Sequence, residues 1–341
     1  MVERKAYVRQ LDILSNVVSG KSAWSSKMLK VKENELMTMK IGMIGLDTSH
    51  VSIFAKMLHD KAHAYHVPGA RVTAAFPGGS PDFELSINRV EGYTKELAAW
   101  GTEILESPED VAKQVDAVML EAVDGRSHLS LFRAIAPYCK QVFIDKPFAV
   151  SSKDAREIAE LAEQYQVTVM SCSSLRYAQG LQDELARGGA DNIIGVDCAG
   201  PLPLQPTQPG FFWYGIHAAE MLYRVLGPGC VSVHVAATEL HEVLTAVWND
   251  GRIGTIRGNR AGNDSFGLTV HRAEASSFVD IMEHPKPYYA SLLDQIMKMF
   301  TTGVSDVPLS ETLEIVRFLE AANVSRVTGE NVRLDDSDRS E

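Results

Sequence analysis

Two rhythms in this 341-residue chain predict an α/β protein with a doubly wound parallel sheet, followed by an α+β domain on an open, largely antiparallel sheet. Over residues 40–172, short apolar runs alternate with helix-period segments, the pattern of βαβ units. After residue 172 strand-like runs follow one another with few helices between them, which reads as a separate, mainly antiparallel unit. A third observation marks the functional edge. Gln141-Val142-Phe143-Ile144 is a short apolar strand that delivers Asp145, Lys146 and Pro147 in succession, and proline has no N–H to continue a ladder. Asp145 and Lys146 therefore stand at the carboxyl end of a strand, the edge where open parallel sheets bind ligands. Taken alone, the same three residues would also suit an ordinary charged turn.

The elements follow in order. Met39–Gly45 is a strand running into a glycine, and Asp47, Thr48 and Ser49, all good N-cap residues, announce a helix with apolar Val51, Phe54, Ala55 and Leu58. Val72–Phe76 is a second strand, broken by Pro77-Gly78-Gly79-Ser80-Pro81, with a helix through Tyr93–Trp100 and a short strand at Glu103–Leu105. Ser107 caps a helix whose first turn holds Pro108. Asp116–Leu120 is a buried strand, His128–Tyr138 a helix, Ser151–Gln166 a helix capped by Ser151 or Ser152, and Val167–Ser171 the last parallel strand. Beyond a helix near Tyr177–Leu185 come runs at Ile193–Cys198, Val231–Thr238, Val243–Trp248, Arg252–Arg257, Gly267–Arg272 and Ser277–Ile281. Asn249-Asp250-Gly251 is a hairpin turn. Helices at Ala290–Phe300 and Ser310–Val327, the second capped by Ser310, end the fold. The expected organisation is an N-terminal extension (1–39), a parallel-sheet domain (40–172), an α+β domain (173–334) and an acidic tail (335–341).

Composition excludes several classes. Acidic residues outnumber basic ones 44 to 33, for a net charge of -11, and no basic stripe offers a nucleic-acid groove. Cys139, Cys172, Cys198 and Cys230 are widely spaced with no C-x-x-C pair, which reads as buried thiols in a reducing compartment, the cytoplasm, and not as disulfides or a zinc site. No apolar run approaches the ~20 residues that span a bilayer. The leader lacks a signal h-region and reads as a start-site or cloning extension, or an arm packing on a neighbour. His59, His63 and His66 read as a solvated helix end and no metal ligand set is expected. Ser173 and Ser174 have no base at a recognisable spacing.

With these pieces placed, the chain resembles the Gfo/Idh/MocA oxidoreductases over residues 40–334. Four stretches carry the likeness. His128 leads by helix to Cys139-Lys140-Gln141-Val142-Phe143-Ile144-Asp145-Lys146-Pro147, similar to the family's H…GKHV-x-x-EKP segment with aspartate for glutamate. Leu175-Arg176-Tyr177 is similar to the R-[FY] that opens its second domain. Gly215-Ile216-His217-Ala218-Ala219-Glu220 before Leu226-Gly227 is similar to its G-[VI]-H-x-x-D…LG helix, and Pro308-Leu309-Ser310 to its C-terminal helix.

The resemblance implies a Rossmann dinucleotide-binding domain and an oligomer, dimer or tetramer, formed through the C-terminal sheet. It implies hydride transfer between NAD or NADP and a hydroxyl carbon of a small sugar, polyol or related substrate, with Lys146 and His217 catalytic. Cofactor contacts would come from Gly45, Asp47, Thr48, Ser49, His50, Val123, His128, Asp145 and Lys146, and substrate contacts from Arg176, Trp213, Tyr214 and Glu220. Three departures stand against the family pattern. The fingerprint G-x-G-x-x-G reads Gly45-Leu46-Asp47-Thr48-Ser49-His50, placing a carboxylate where pyrophosphate would lie. Phe76-Pro77-Gly78-Gly79-Ser80 ends the second strand without an acid for the ribose or an arginine for a 2′-phosphate. Trp213 stands where the family has an aspartate, four residues before His217. Two other readings therefore stay open, a non-catalytic ligand sensor on this fold and a redox-neutral lyase or glycosidase with bound NAD.

Overall fold

A computed structural model describes residues 38–188 and 192–334. The expected extension, up to residue 37, and the acidic tail lie outside the described residues. The N-terminal sheet comprises β1 (Met39–Ile44), β2 (Ala70–Phe76), β3 (Glu103–Ile104), β4 (Ala117–Leu120), β5 (Gln141–Ile144) and β6 (Thr168–Met170), in the order β3-β2-β1-β4-β5-β6. Parallel register pairs Ile44 with Leu120 and Leu120 with Ile144. Ile41, Met43, Ile44 and all of β4 are buried because helices cover both faces, which is why these strands read as continuous apolar runs. The chain reverses direction across the sheet between β1 and β4, the switch point where a crevice opens.

The crossover helices are α1 (Ser49–His59), α2 (Glu84–Ala99), α3 (Pro108–Ala112), α4 (His128–Ile135) and α5 (Ser152–Tyr165). Ser107 and Ser151 cap α3 and α5 as expected, accepting the N–H groups of Asp110 and Asp154. Helix α2 begins nine residues before the expected Tyr93. Only Ser86 and Leu97 of it are buried, so no apolar stripe announces its first turns.

The second unit begins with α6 (Gln179–Gly188) and β7 (Ile193–Pro201), followed by α7 (Gly215–Leu226), β8 (Cys230–Ala237), β9 (His241–Trp248), β10 (Ile253–Asn259), β11 (Gly267–Arg272) and β12 (Ser276–Asp280). Helices α8 (Tyr288–Thr302) and α9 (Leu309–Thr328) and the short β13 (Val332–Arg333) complete it. The sheet order is β12-β11-β7-β10-β9-β8-β13, antiparallel except for the parallel pair β7–β10. Gly251, at φ +87°, closes the expected turn between β9 and β10. Strand β13 has only two residues and no sequence signal. Ser310 does not cap α9: Pro308 is the N-cap residue, and Ser310 lies inside the helix. Helices α7 and α9 cover one face of this sheet, and Ile194, Ile253 and Phe278 are exposed on its strands. Among the described residues no helix is long and apolar enough to cross a membrane.

Candidate active site

The site is built where the parallel strands stop. Past the end of β4, the Glu121 N–H donates to Ile44 O (2.7 Å), and past β5 the Asp145 N–H donates to Leu120 O (2.8 Å). The ladder thus fixes two carboxylate-bearing residues on adjacent strands one position beyond the sheet. His50, in the first turn of α1, brings Nδ1 to 2.9 Å from Asp145 and 3.8 Å from Glu121, and Tyr289 of α8 packs edge-on against its ring at 5.0 Å. Burial, then the charge of Asp145, pushes the Glu121 carboxyl well above its usual range. Burial opposes ionisation of Asp145 as well, but the adjacent His50 and Lys146 hold its carboxyl below the ordinary value. Lys146 is almost fully buried, with its ammonium over the Trp213 ring, 5.5 Å from the centroid.

The second unit supplies the facing wall. His217, in the first turn of α7, has Nδ1 2.6 Å from the Ser173 hydroxyl, whose oxygen also accepts the Leu175 N–H. Its other ring nitrogen has no protein partner among the described residues. Burial, with the nearby Lys146 and His50 charges, holds the imidazole neutral, far below its usual pKa. Tyr214 and Phe266 flank the ring at 5.4 and 5.7 Å. Lys146 and His217, 71 residues apart in sequence, are thus near enough that one's charge depresses the other's basicity.

The other expected contacts divide. Arg176 and Glu220 come together, but with each other: the guanidinium donates to Glu220 (2.9 Å) and to Glu311 of α9, all three buried. Burial raises the Glu220 carboxyl to about 7, with Arg176 opposing. Glu220 neither touches His217 nor is free for substrate, because helical spacing put it on the face turned toward α9 and not toward the cleft. His128 likewise spends both ring nitrogens on backbone, Ala122 O at 2.7 Å and Phe148 O at 3.2 Å. Trp213 is packed against Phe83 (5.5 Å) and Tyr214 (5.8 Å). Arg126 pairs with Asp82 and Asp124, and Gln208 donates to Asp124 (2.7 Å), tying the loops after β2 and β4 to the second unit.

Sequence reading missed Glu121 and Ser173 as members of this cluster. The available signal was position: Glu121 follows β4 directly and Ser173 lies three positions past the end of β6. Their partners lie far along the chain, His50 and His217, so no local spacing reveals them.

The β1–α1 turn tests the fit of a dinucleotide. Gly45 has φ +84°, and a Cβ there would lie 2.5 Å from the Ala122 backbone, so this glycine serves the close approach of the turn to β4. Thr48 occupies the N-cap without a side-chain bond, and the Val51 N–H donates to Thr48 O (3.3 Å), leaving the N–H groups of Ser49 and His50 for an anion. Asp47 is turned aside from that helix end: it accepts the Val123 N–H (2.8 Å) and the Ser86 hydroxyl (2.5 Å). Burial raises its carboxyl toward the neutral form, which weakens the repulsion a pyrophosphate would meet. The turn, the open helix N-terminus and Lys146 fit the group; Asp47 narrows the crevice beside it.

The switch point of the parallel sheet, an anion-ready helix end and a lysine at the strand edge define a Rossmann-type scaffold. Residues 39–172 match GFO_IDH_MocA, described as an oxidoreductase family with an NAD-binding Rossmann fold, so the parallel-sheet part of the chain is similar to the Rossmann domain of the Gfo/Idh/MocA oxidoreductases. Among solved structures the chain is similar to a probable dehydrogenase from Thermotoga maritima (17% identity, TM-score 0.71, covering 87% of this chain and 99% of that one). It is similar also to a putative myo-inositol dehydrogenase from Sinorhizobium meliloti 1021 (16%, 0.71, 87% and 100%). A third is the myo-inositol dehydrogenase from Lactobacillus casei in complex with NAD(H) and myo-inositol (14%, 0.68, 88% and 97%). At these identities the likeness is one of fold. No curated protein matches the chain.

Proposed function

We propose that the protein is an NAD(P)-dependent oxidoreductase that moves a hydride between nicotinamide and a hydroxyl-bearing carbon of a small sugar, polyol or related compound. The observation that carries this reading is the pairing of a buried ammonium, Lys146, with a neutral imidazole, His217, in one cleft at the carboxyl edge of the parallel sheet. The β1–α1 turn and Lys146 would hold the dinucleotide, which when bound supplies the hydride acceptor or donor. An alcohol that loses hydride must also lose its hydroxyl proton. His217, neutral across the physiological range and oriented by Ser173, is the group able to take it. The Lys146 ammonium stabilises the developing alkoxide in a water-poor cleft. The unit over residues 40–172 serves the cofactor, and that over 173–334 serves substrate and self-association through the face bearing Ile194, Ile253 and Phe278.

One observation favours a second reading. Asp47 at the second glycine position of the fingerprint suits a protein that senses a small ligand without turning over a dinucleotide. Titration with NADH and NADPH, followed by energy transfer from tryptophan, separates the two. Saturable binding, followed by an absorbance change at the nicotinamide band with a polyol panel, is expected. Lys146→Ala and His217→Ala should each lower turnover by roughly 10²–10⁴-fold with unchanged circular dichroism. No binding at millimolar dinucleotide would leave the sensor reading in place.

A further inference from the structure

We propose that His50, Glu121 and Asp145 bind a divalent first-row transition-metal ion. One imidazole nitrogen and one oxygen from each carboxylate lie within 4.8 Å of one another, and all three residues are buried. The separations of His50 Nδ1 from the two carboxylates, 2.9 and 3.8 Å, bracket the spacing between ligands bound at ~2.0–2.2 Å to a common ion. Backbone hydrogen bonds to Ile44 and Leu120 hold Glu121 and Asp145 side by side one position past their strands, and the first turn of α1 fixes His50.

A second, independent observation points to a ligand. Asp145 has His50 as its side-chain ion-pair partner at 2.9 Å, but both oxygens of Glu121, a fully buried side chain, have no hydrogen-bond partner. Such groups are costly to leave unmet. A ready ammonium stands beside them, but Lys146 rests on the Trp213 ring and forms no ion pair among the described residues. Every other buried carboxylate in this part of the molecule is satisfied: Asp47 by Val123 and Ser86, Asp124 by Arg126 and Gln208, Glu220 by Arg176. A nitrogen with two carboxylate oxygens suits Mn²⁺, Fe²⁺, Co²⁺ or Zn²⁺ better than the all-oxygen shell of Ca²⁺. Its remaining positions would take water or a substrate oxygen.

The inference does not rest on hydride transfer, and its test uses neither dinucleotide nor substrate. The full chain is stripped with a chelator and titrated with Mn²⁺ by calorimetry and by electron paramagnetic resonance, then with Zn²⁺. One ion per chain is expected, together with a rise in thermal midpoint that grows with free Mn²⁺. Glu121→Gln keeps the shape and removes the charge, and should weaken binding at least 100-fold; His50→Asn should do the same. If Glu121→Gln fails to fold, the His50 variant and the midpoint shift of the unaltered chain still decide. Absence of Mn²⁺ and Zn²⁺ binding up to 1 mM (about 4 kcal/mol of affinity) would overturn the inference, as would undiminished binding in both variants. Either result would leave the two carboxylates sharing a proton beside His50, with the dinucleotide titration unaffected.

Discussion

Replacing Arg176 with methionine removes the guanidinium that bonds both Glu220 and Glu311, and so strips two carboxylates in the interior between α7 and α9 of that cation. Breaking a buried pair while its partner stays charged costs about 3–5 kcal/mol, and here one cation serves two anions, so the upper part of that range is expected at pH 8. The loss should shrink in acid. Glu220 has a folded pKa of about 7 against an ordinary 4.5, so the folded state binds its proton more tightly than the unfolded state. Its contribution is therefore fully present below about 4.5 and is lost as pH rises through about 7. Without Arg176 the carboxyl rises further, and the variant recovers part of its deficit as these groups protonate. Urea denaturation at pH 8 and pH 5.5, with circular dichroism and tryptophan fluorescence as paired probes, measures both. Adding Glu220→Gln and Glu311→Gln to Arg176→Met should recover most of the loss, because uncharged amides need no counterion. A penalty below about 1 kcal/mol at pH 8, or one unchanged at pH 5.5, would refute the structural role and return Arg176 to the substrate.

Three further outcomes follow from the site. The acid limb of kcat/KM should lie well below 6.5, because burial, Lys146 and His50 all disfavour imidazolium at His217; pH profiles in deuterated and ordinary water check it, and a limb at or above 6.5 contradicts it. Asp47→Asn keeps an acceptor for Val123 and removes the charge near the pyrophosphate, so NADH should bind roughly three- to tenfold more tightly at pH 8, about 0.7–1.4 kcal/mol; weaker binding in calorimetry would show that the carboxylate supports the cofactor. Gly45→Ala combines a left-handed backbone with a Cβ 2.5 Å from the Ala122 backbone, so its cost should exceed the ~1–2 kcal/mol of the backbone conformation alone, read as a lowered denaturation midpoint.

The alternation of apolar runs with capped helices fixed the parallel sheet, because strands buried on both faces have to be apolar throughout. Asn249-Asp250-Gly251 likewise declared the β9–β10 turn through local backbone preference. Lys146 at its strand end was legible for the same reason, since proline forces the strand to stop there. What tertiary structure decided were pairings between distant segments: Glu121 with Asp145 and His50, Ser173 with His217, Arg176 with Glu220 and Glu311, and Asp47 with Val123. Each needs a carboxylate, hydroxyl or imidazole to meet a group dozens of residues away. The chain states which polar groups it carries, and only packing decides which of them are satisfied by protein and which are left facing a ligand.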